Sequence, residues 1–127
     1  MFRAAGVLIG DSSSGKILGF RRLDEGRSGV ALPCGGIEDD ETPQLAAIRE
    51  ALEETGYVVR LLDDQPYVAN EKRDNVQVYI YKAEIVEQKV ALTPAEGIPV
   101  WVKPTEILDG PYGDFNRKML VYFGYDV

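Results

Sequence analysis

The stretch from residue 42 to residue 56 leaves this chain the least freedom. Thr42 has a hydroxyl suited to capping a helix, Pro43 suits the first helical position, and Gly56 suits the residue just past the end, so the spacing predicts a helix over Pro43–Thr55. Leu45, Ile48 and Leu52 stand at i, i+3 and i+7 and are expected to form its buried stripe, with Ala46 and Ala47 leaving space along the helix. Glu50, Glu53 and Glu54 stand at i, i+3 and i+4, which gathers three carboxylates on another face, with Arg49 among them as a counter-charge. Exposed like charges at this spacing repel by about a few tenths of a kcal/mol per pair. The cluster is therefore either a solvated face with an Arg49–Glu53 ion pair or a place that invites a cation. Magnesium takes oxygen ligands, keeps several waters and is commonly shared between carboxylates and phosphates.

Composition narrows the chemistry. At 127 residues the chain has the length of one domain with one core, and 45% hydrophobic with 28% charged residues is a globular composition, not a disordered one. The longest apolar stretches, such as Ala4–Ile9, are far short of a membrane span, and the start lacks a basic segment followed by an apolar one. A cytoplasmic location is expected, and the single cysteine, Cys34, permits no internal disulfide. A net charge of −7 argues against duplex nucleic acid and membrane surfaces as partners, but admits a phosphorylated small molecule if metal ions lie between the two negative partners. With no histidine in the chain, histidine triads, zinc–histidine sites and histidine phosphotransfer are excluded. Acid–base work falls to carboxylates, lysine, tyrosine, cysteine or metal-bound water.

Around the helix, Phe2–Ile9 reads as a buried strand, Asp11–Gly15 as a turn, and Lys16–Arg22 as a strand that could pair back as a hairpin. Asp24–Gly29 reads as a loop, and Val30–Pro33 leads into the pair Gly35-Gly36. Tyr57–Leu62, Tyr67–Ala69, Val76–Val86 and Ile98–Val102 read as strands, with Asn70–Asn75 as a hairpin tip. Thr105–Leu108 reads as a helical turn, and Asp114–Phe123 as a closing helix with Phe115, Met119 and Leu120 or Tyr122 inward. Strands on both sides of a central helix, followed by another helix, suggest a mixed sheet packed between helices.

The wider spacing decides between the two readings of the acidic face. Gly35 is followed after five residues by Glu41, and after seven more by Arg49-Glu50, then Ala51, Leu52, Glu53-Glu54, Thr55, Gly56 and Tyr57. This run resembles a complete Nudix box, and a chance match in a chain this long is roughly 10⁻⁷ to 10⁻⁶ at average residue usage. Asp40 and Cys34 depart from the usual glycine before Glu41 and the usual glycine or glutamine after the proline. The resemblance implies one Nudix hydrolase domain over residues 1–127, an α/β (α+β) fold of the α/β/α sandwich type. It implies magnesium or manganese held by Glu53, Glu54 and Glu50, joined by Glu38 and the Gly35 carbonyl. Arg49 would orient the carboxylates, and Glu41 would pair with it or stabilise the start of the helix. Water would attack a phosphorus of a diphosphate link, with either Glu53 or Glu96 as base; Glu96 reads equally well as a solvated loop acid.

The resemblance says less about substrate. Arg21 and Arg22 close the second strand, where relatives often meet phosphate, or they are a plain surface pair; the same choice applies to Lys72 and Arg73. Trp101 and the run Asp114-Phe115-Asn116 are similar to the MutT-like branch, in which Asn116 would read a nucleobase and Phe115 or Tyr112 would stack on it. Equally, Asn116 caps or decorates its helix and Trp101 is core. The expectation is a small-molecule nucleotide, foremost a (deoxy)nucleoside triphosphate, cut by a pyrophosphohydrolase. The alternatives are ADP-ribose, a nucleotide sugar or a dinucleoside polyphosphate, and a nucleotide-sensing module without catalysis. Many relatives dimerise, so the resemblance also allows a homodimer.

Overall fold

The computed structural model describes residues 2–22, 29–72, 74–89, 97–109 and 112–127. Most of the expected Asp24–Gly29 loop, together with Arg73 and Glu96, lies outside the described residues. Strand β1 (Phe2–Leu8) runs parallel to β7 (Val76–Gln88), a strand of 13 residues, and its other edge pairs antiparallel with β4 (Cys34–Gly36). The far edge of β7 carries β6 (Tyr67–Glu71) along its first half and β5 (Tyr57–Leu61) along its second, both antiparallel. The result is a mixed five-stranded sheet. A second, antiparallel sheet joins β3 (Val30–Ala31), β2 (Ile17–Arg22) and β8 (Gly97–Val102) in that order. The expected β1–β2 hairpin is only a stem, closed by the Gly10–Ile17 bridge and the Leu18 N–H donating to Ile9 O, because the ladder of β2 is taken by β3 and β8.

Helix α1 (Pro43–Thr55) forms where the capping signals place it. Thr42 Oγ1 accepts from the Leu45 N–H at 3.2 Å, and Gly56 ends the helix in the left-handed region at φ 78°. Its buried face is not the expected leucine stripe. Ala46, Ala47 and Ala51 are fully buried against Ala5, Val7 and Val59, whereas Leu45 is 58% exposed and Ile48 and Leu52 are only partly covered. Small side chains let the helix lie close on β1 and β5, which leaves the larger aliphatics flanking the contact.

Helix α2 (Gly113–Tyr122) covers the other face of the mixed sheet, where Met119 and Leu120 pack with Leu8, Ile80 and Ile107 of the short 3₁₀ helix Pro104–Leu108. Leu120 rather than Tyr122 points inward, and Tyr122 is 52% exposed. Along β1, Ala5 and Val7 face α1 while Leu8 faces α2, the alternation a sheet buried on both faces requires. The architecture is the expected mixed sheet between helices. Among the described residues no helix is long and apolar enough to cross a membrane.

Strand β4 was not expected, since Cys34-Gly35-Gly36 has poor strand propensity. It pairs because β1 offers it a glycine: Cys34 stands opposite Gly6, and a Cβ at Gly6 would stand against the Pro33 carbonyl and the Cys34 side chain. This pairing carries the glycine loop to the foot of α1.

Candidate active site

Arg49 is the hub between that loop and α1. Its Nε donates to Glu41 Oε2 at 2.7 Å and its Nη2 to Glu41 Oε1 at 2.8 Å, a two-pronged pair. Nη2 also donates to the Gly36 carbonyl at 2.9 Å, while Nη1 donates to Glu50 Oε1 at 3.0 Å and Glu53 Oε2 at 3.2 Å. Glu41 is thus tied to both Arg49 and the Glu38 N–H, which donates to its Oε1 at 3.1 Å. The hydrogen bonds from Arg49 hold the Glu41 carboxyl below the usual carboxylate range, and those same bonds raise the arginine's own pKa.

Glu50 is pressed against the loop. Its carboxylate occupies the space where a side chain at Gly35 would begin, and its burial, opposed in part by Arg49, raises its pKa. Any Cβ at Gly35 must displace that carboxylate. Gly35→Ala is expected to lower kcat/KM about a hundredfold, the scale of loss that an ångström's misplacement near a site can cause, with the melting temperature falling far less. Steady-state kinetics beside a thermal melt checks this.

Glu54 is buried and fastens the helix to β4 by accepting the Cys34 N–H at 2.8 Å. Burial, then the Glu54 and Glu50 charges, push the Cys34 thiol up from 9.0 to about 12. A thiol raised in the folded state contributes stability that is complete below its unfolded value and is lost as pH climbs from about 9 towards about 12. Iodoacetamide at pH 8 is therefore expected to label Cys34 at least about a hundredfold faster in guanidinium than in the folded protein. Mass spectrometry of timed aliquots measures the ratio.

The donors suit a hard cation. Glu50 and Glu53 each place an oxygen within 3.2 Å of the same nitrogen, so both can reach one point on the helix face. Among the described residues no three acidic or cysteine side chains converge into a ready-made cage. A hard divalent cation takes such carboxylate oxygens, with waters and substrate phosphates able to complete its shell. Glu38 is exposed on the loop, beside Asp39 and Asp40.

Beside this corner opens a cavity of about 290 Å³. Its floor is the α2-facing side of the mixed sheet, with Ala4, Val76, Val78 and Ile80; one wall is Cys34, Gly35 and Gly36. Arg22, Phe115 and Asn116 line it, and Arg21 does not. Neighbours on a strand point to opposite sides, and Arg21 is exposed away from the cavity. Asn116 Nδ2 donates to the Ile107 carbonyl at 2.7 Å, which ties the residue to the 3₁₀ helix. Trp101 is neither core nor cavity wall: it sits on β8, 38% exposed. Lys72 is exposed at the hairpin tip.

Besides the apolar floor, Phe2, Cys34, Glu71 and Asp74 line the cavity without having been marked as site members by the sequence. The alternation Tyr67, Ala69, Glu71 could have found Glu71, had β6 been carried two residues further.

The family model for the NUDIX domain matches residues 1–123. The chain belongs to the Nudix hydrolase family. Nudix hydrolases act in general on small nucleotide substrates with divalent cations. A MutT-like protein of Streptomyces ambofaciens is 32% identical over 104 residues, covering 81% of this Nudix chain and 64% of the relative. An RNA pyrophosphohydrolase of Dinoroseobacter shibae is 36% identical over 61 residues, covering 48% of this chain and 38% of the relative. The chain thus spans less than two thirds of the length of either curated relative. Among solved structures, a Nudix hydrolase from Nitrosomonas europaea superposes with a TM-score of 0.71 at 17% identity, covering 96% of this chain and 89% of that one.

Proposed function

We propose that this Nudix chain is a divalent-cation-dependent pyrophosphohydrolase that cuts a phosphoanhydride bond in a (deoxy)nucleoside triphosphate. The observation that carries the reading is the shared position of Glu50 and Glu53 on Arg49 Nη1, directly beside a cavity walled by Gly35 and Gly36. The names of the two curated relatives, a MutT-like protein and an RNA pyrophosphohydrolase, point to the same reaction class. Of the ligands the resemblance implies, Glu50 and Glu53 stand together beside Gly35 and would hold the cation, with Glu54, the Gly35 carbonyl and Glu38 as the further candidates. When bound, it would supply charge neutralisation for the transferring phosphoryl group and acidify nearby water.

The chain's own groups do the rest. Arg22 is the only lysine or arginine among the described residues that line the cavity, and it meets substrate phosphate there. Arg49 sets the carboxylates through its fork. Of the two carboxylates on Nη1, the Glu53 side chain is 35% exposed and Glu50 14%, so Glu53 is the one open to an attacking water and takes its proton. The apolar floor carries the nucleoside, with Phe115 as a stacking surface and Asn116 beside it.

The test is phosphate and pyrophosphate release over nucleoside triphosphates, nucleotide sugars, ADP-ribose, dinucleoside polyphosphates and 5′-triphosphorylated RNA. Each runs with magnesium, with manganese and with EDTA. Metal-dependent turnover, fastest on a triphosphate and lost in EDTA, is expected. Nucleotide binding without turnover on any compound would replace the reading with a sensing module.

A further inference from the structure

We propose that Glu71, with Asp74 at the rim, makes the cavity select nucleobases that carry an amino group over those whose edge is made of carbonyls. The inference rests on the nucleotide reading above for what enters the cavity, and adds which base it takes.

Register places the groups. Val76 of β7 is the partner of Phe2 on β1 and of Glu71 on β6, so the three form one row across the sheet, and all three line the cavity. The next row inward on the same face is Ala4 and Val78. A planar ring lying on this apolar floor therefore meets a carboxylate at the floor's edge. Asp74 follows in the turn, where its Oδ2 accepts the Tyr112 hydroxyl proton and so ties the hairpin to the start of α2. Asn116 lies one helical turn on from Tyr112, its N–H donating to the Tyr112 carbonyl, and one amide hydrogen is already given to Ile107.

This end of the cavity is thus rich in acceptors. An ionised carboxylate only accepts hydrogen bonds and has about four acceptor sites, so Glu71 can take a base donor in addition to its contacts within the protein. Adenine, cytosine and guanine each offer an amino group. Uracil and thymine offer two carbonyls flanking one N–H, and their oxygens would face the carboxylates. That one N–H can reach a carboxylate only by bringing both flanking carbonyl oxygens against it, so the uracil or thymine edge is the weaker partner for a site built of acceptors. One charge-assisted hydrogen bond corresponds to about a tenfold to hundredfold preference.

The experiment is calorimetric binding of non-hydrolysable α,β-imido triphosphates of adenosine, cytidine, guanosine and uridine in magnesium. It uses the parent protein and its Glu71→Gln and Asp74→Asn variants, each checked by thermal melt. At least one amino-bearing nucleotide should bind tenfold or more tightly than the uridine compound, and the order among the three identifies the base. Glu71→Gln should shrink that preference at least fivefold while uridine binding stays within twofold. Should that variant not fold, Asp74→Asn on the exposed turn is read by the same criterion. Equal binding of all four, no binding of any, or a variant that weakens all four alike would overturn the proposal. Turnover is not needed: selective binding without hydrolysis sinks the hydrolase reading alone, and hydrolysis with indifferent binding sinks only this one.

Discussion

Replacing Glu53 and Glu54 together by glutamine is expected to lower kcat/KM by about a thousandfold or more, on the order of 4 kcal/mol at 1.36 kcal/mol per tenfold. Both carboxylates stand on the last full turn of α1, and losing them removes negative charge where a cation and a phosphoryl group would meet. The fold should survive. Glutamine keeps the Oε1 acceptor through which residue 54 receives the Cys34 N–H, and it relieves the repulsion between Glu53 and Glu50 on one guanidinium. The melting temperature without metal should therefore hold or rise, as is common where a site is charged for function rather than stability. Added magnesium or manganese, which should raise the melting temperature of the parent by mass action, should no longer do so. A variant that keeps a tenth of the parent's activity would remove these two residues from the site.

Arg49→Ala should have the largest effect on stability. One guanidinium serves Glu41 twice, Glu50, Glu53 and the Gly36 carbonyl, and its side chain is only 25% exposed. Without it, three carboxylates face one another and a carbonyl loses its donor. Taking one partner from a largely buried charge network costs about 3–5 kcal/mol, and partial exposure here brings the expectation to about 2–4 kcal/mol. For a chain of this length that is roughly 8–15 °C of melting temperature. Activity should fall as well, because Arg49 sets both Glu50 and Glu53. Arg49→Lys should recover charge but not the fork, and so restore only part of the stability. Calorimetric melts of the three proteins decide the matter. A loss within about 0.5 kcal/mol, typical of surface pairs, would show that the network is solvated in solution.

In α1 the bounds and the buried face have different physical origins. Its bounds were legible because caps act locally: Thr42, Pro43 and Gly56 each satisfy or terminate backbone hydrogen bonds within a few residues. Its inward face was not. Leucine at i, i+3 and i+7 is the normal apolar stripe, yet the sheet lies too close for it, and the three alanines took the contact. Only the distance between helix and sheet could decide that, and no local signal encodes a distance. The same holds for β4, whose glycines argue against a strand until Gly6 of β1 lies opposite.

The candidate site divides along the same line. Spacing along the chain gathered the three carboxylates and the counter-charge at Arg49 on α1, because residues one helical turn apart must be neighbours, and the resemblance drew Gly35 in beside them. Tertiary structure alone turned Arg22 into the cavity and Arg21 out of it, and brought Glu71 and Asp74 to the cavity formed by β1, β4 and α2. Those neighbours lie dozens of residues apart, and it is sheet register that sets them side by side.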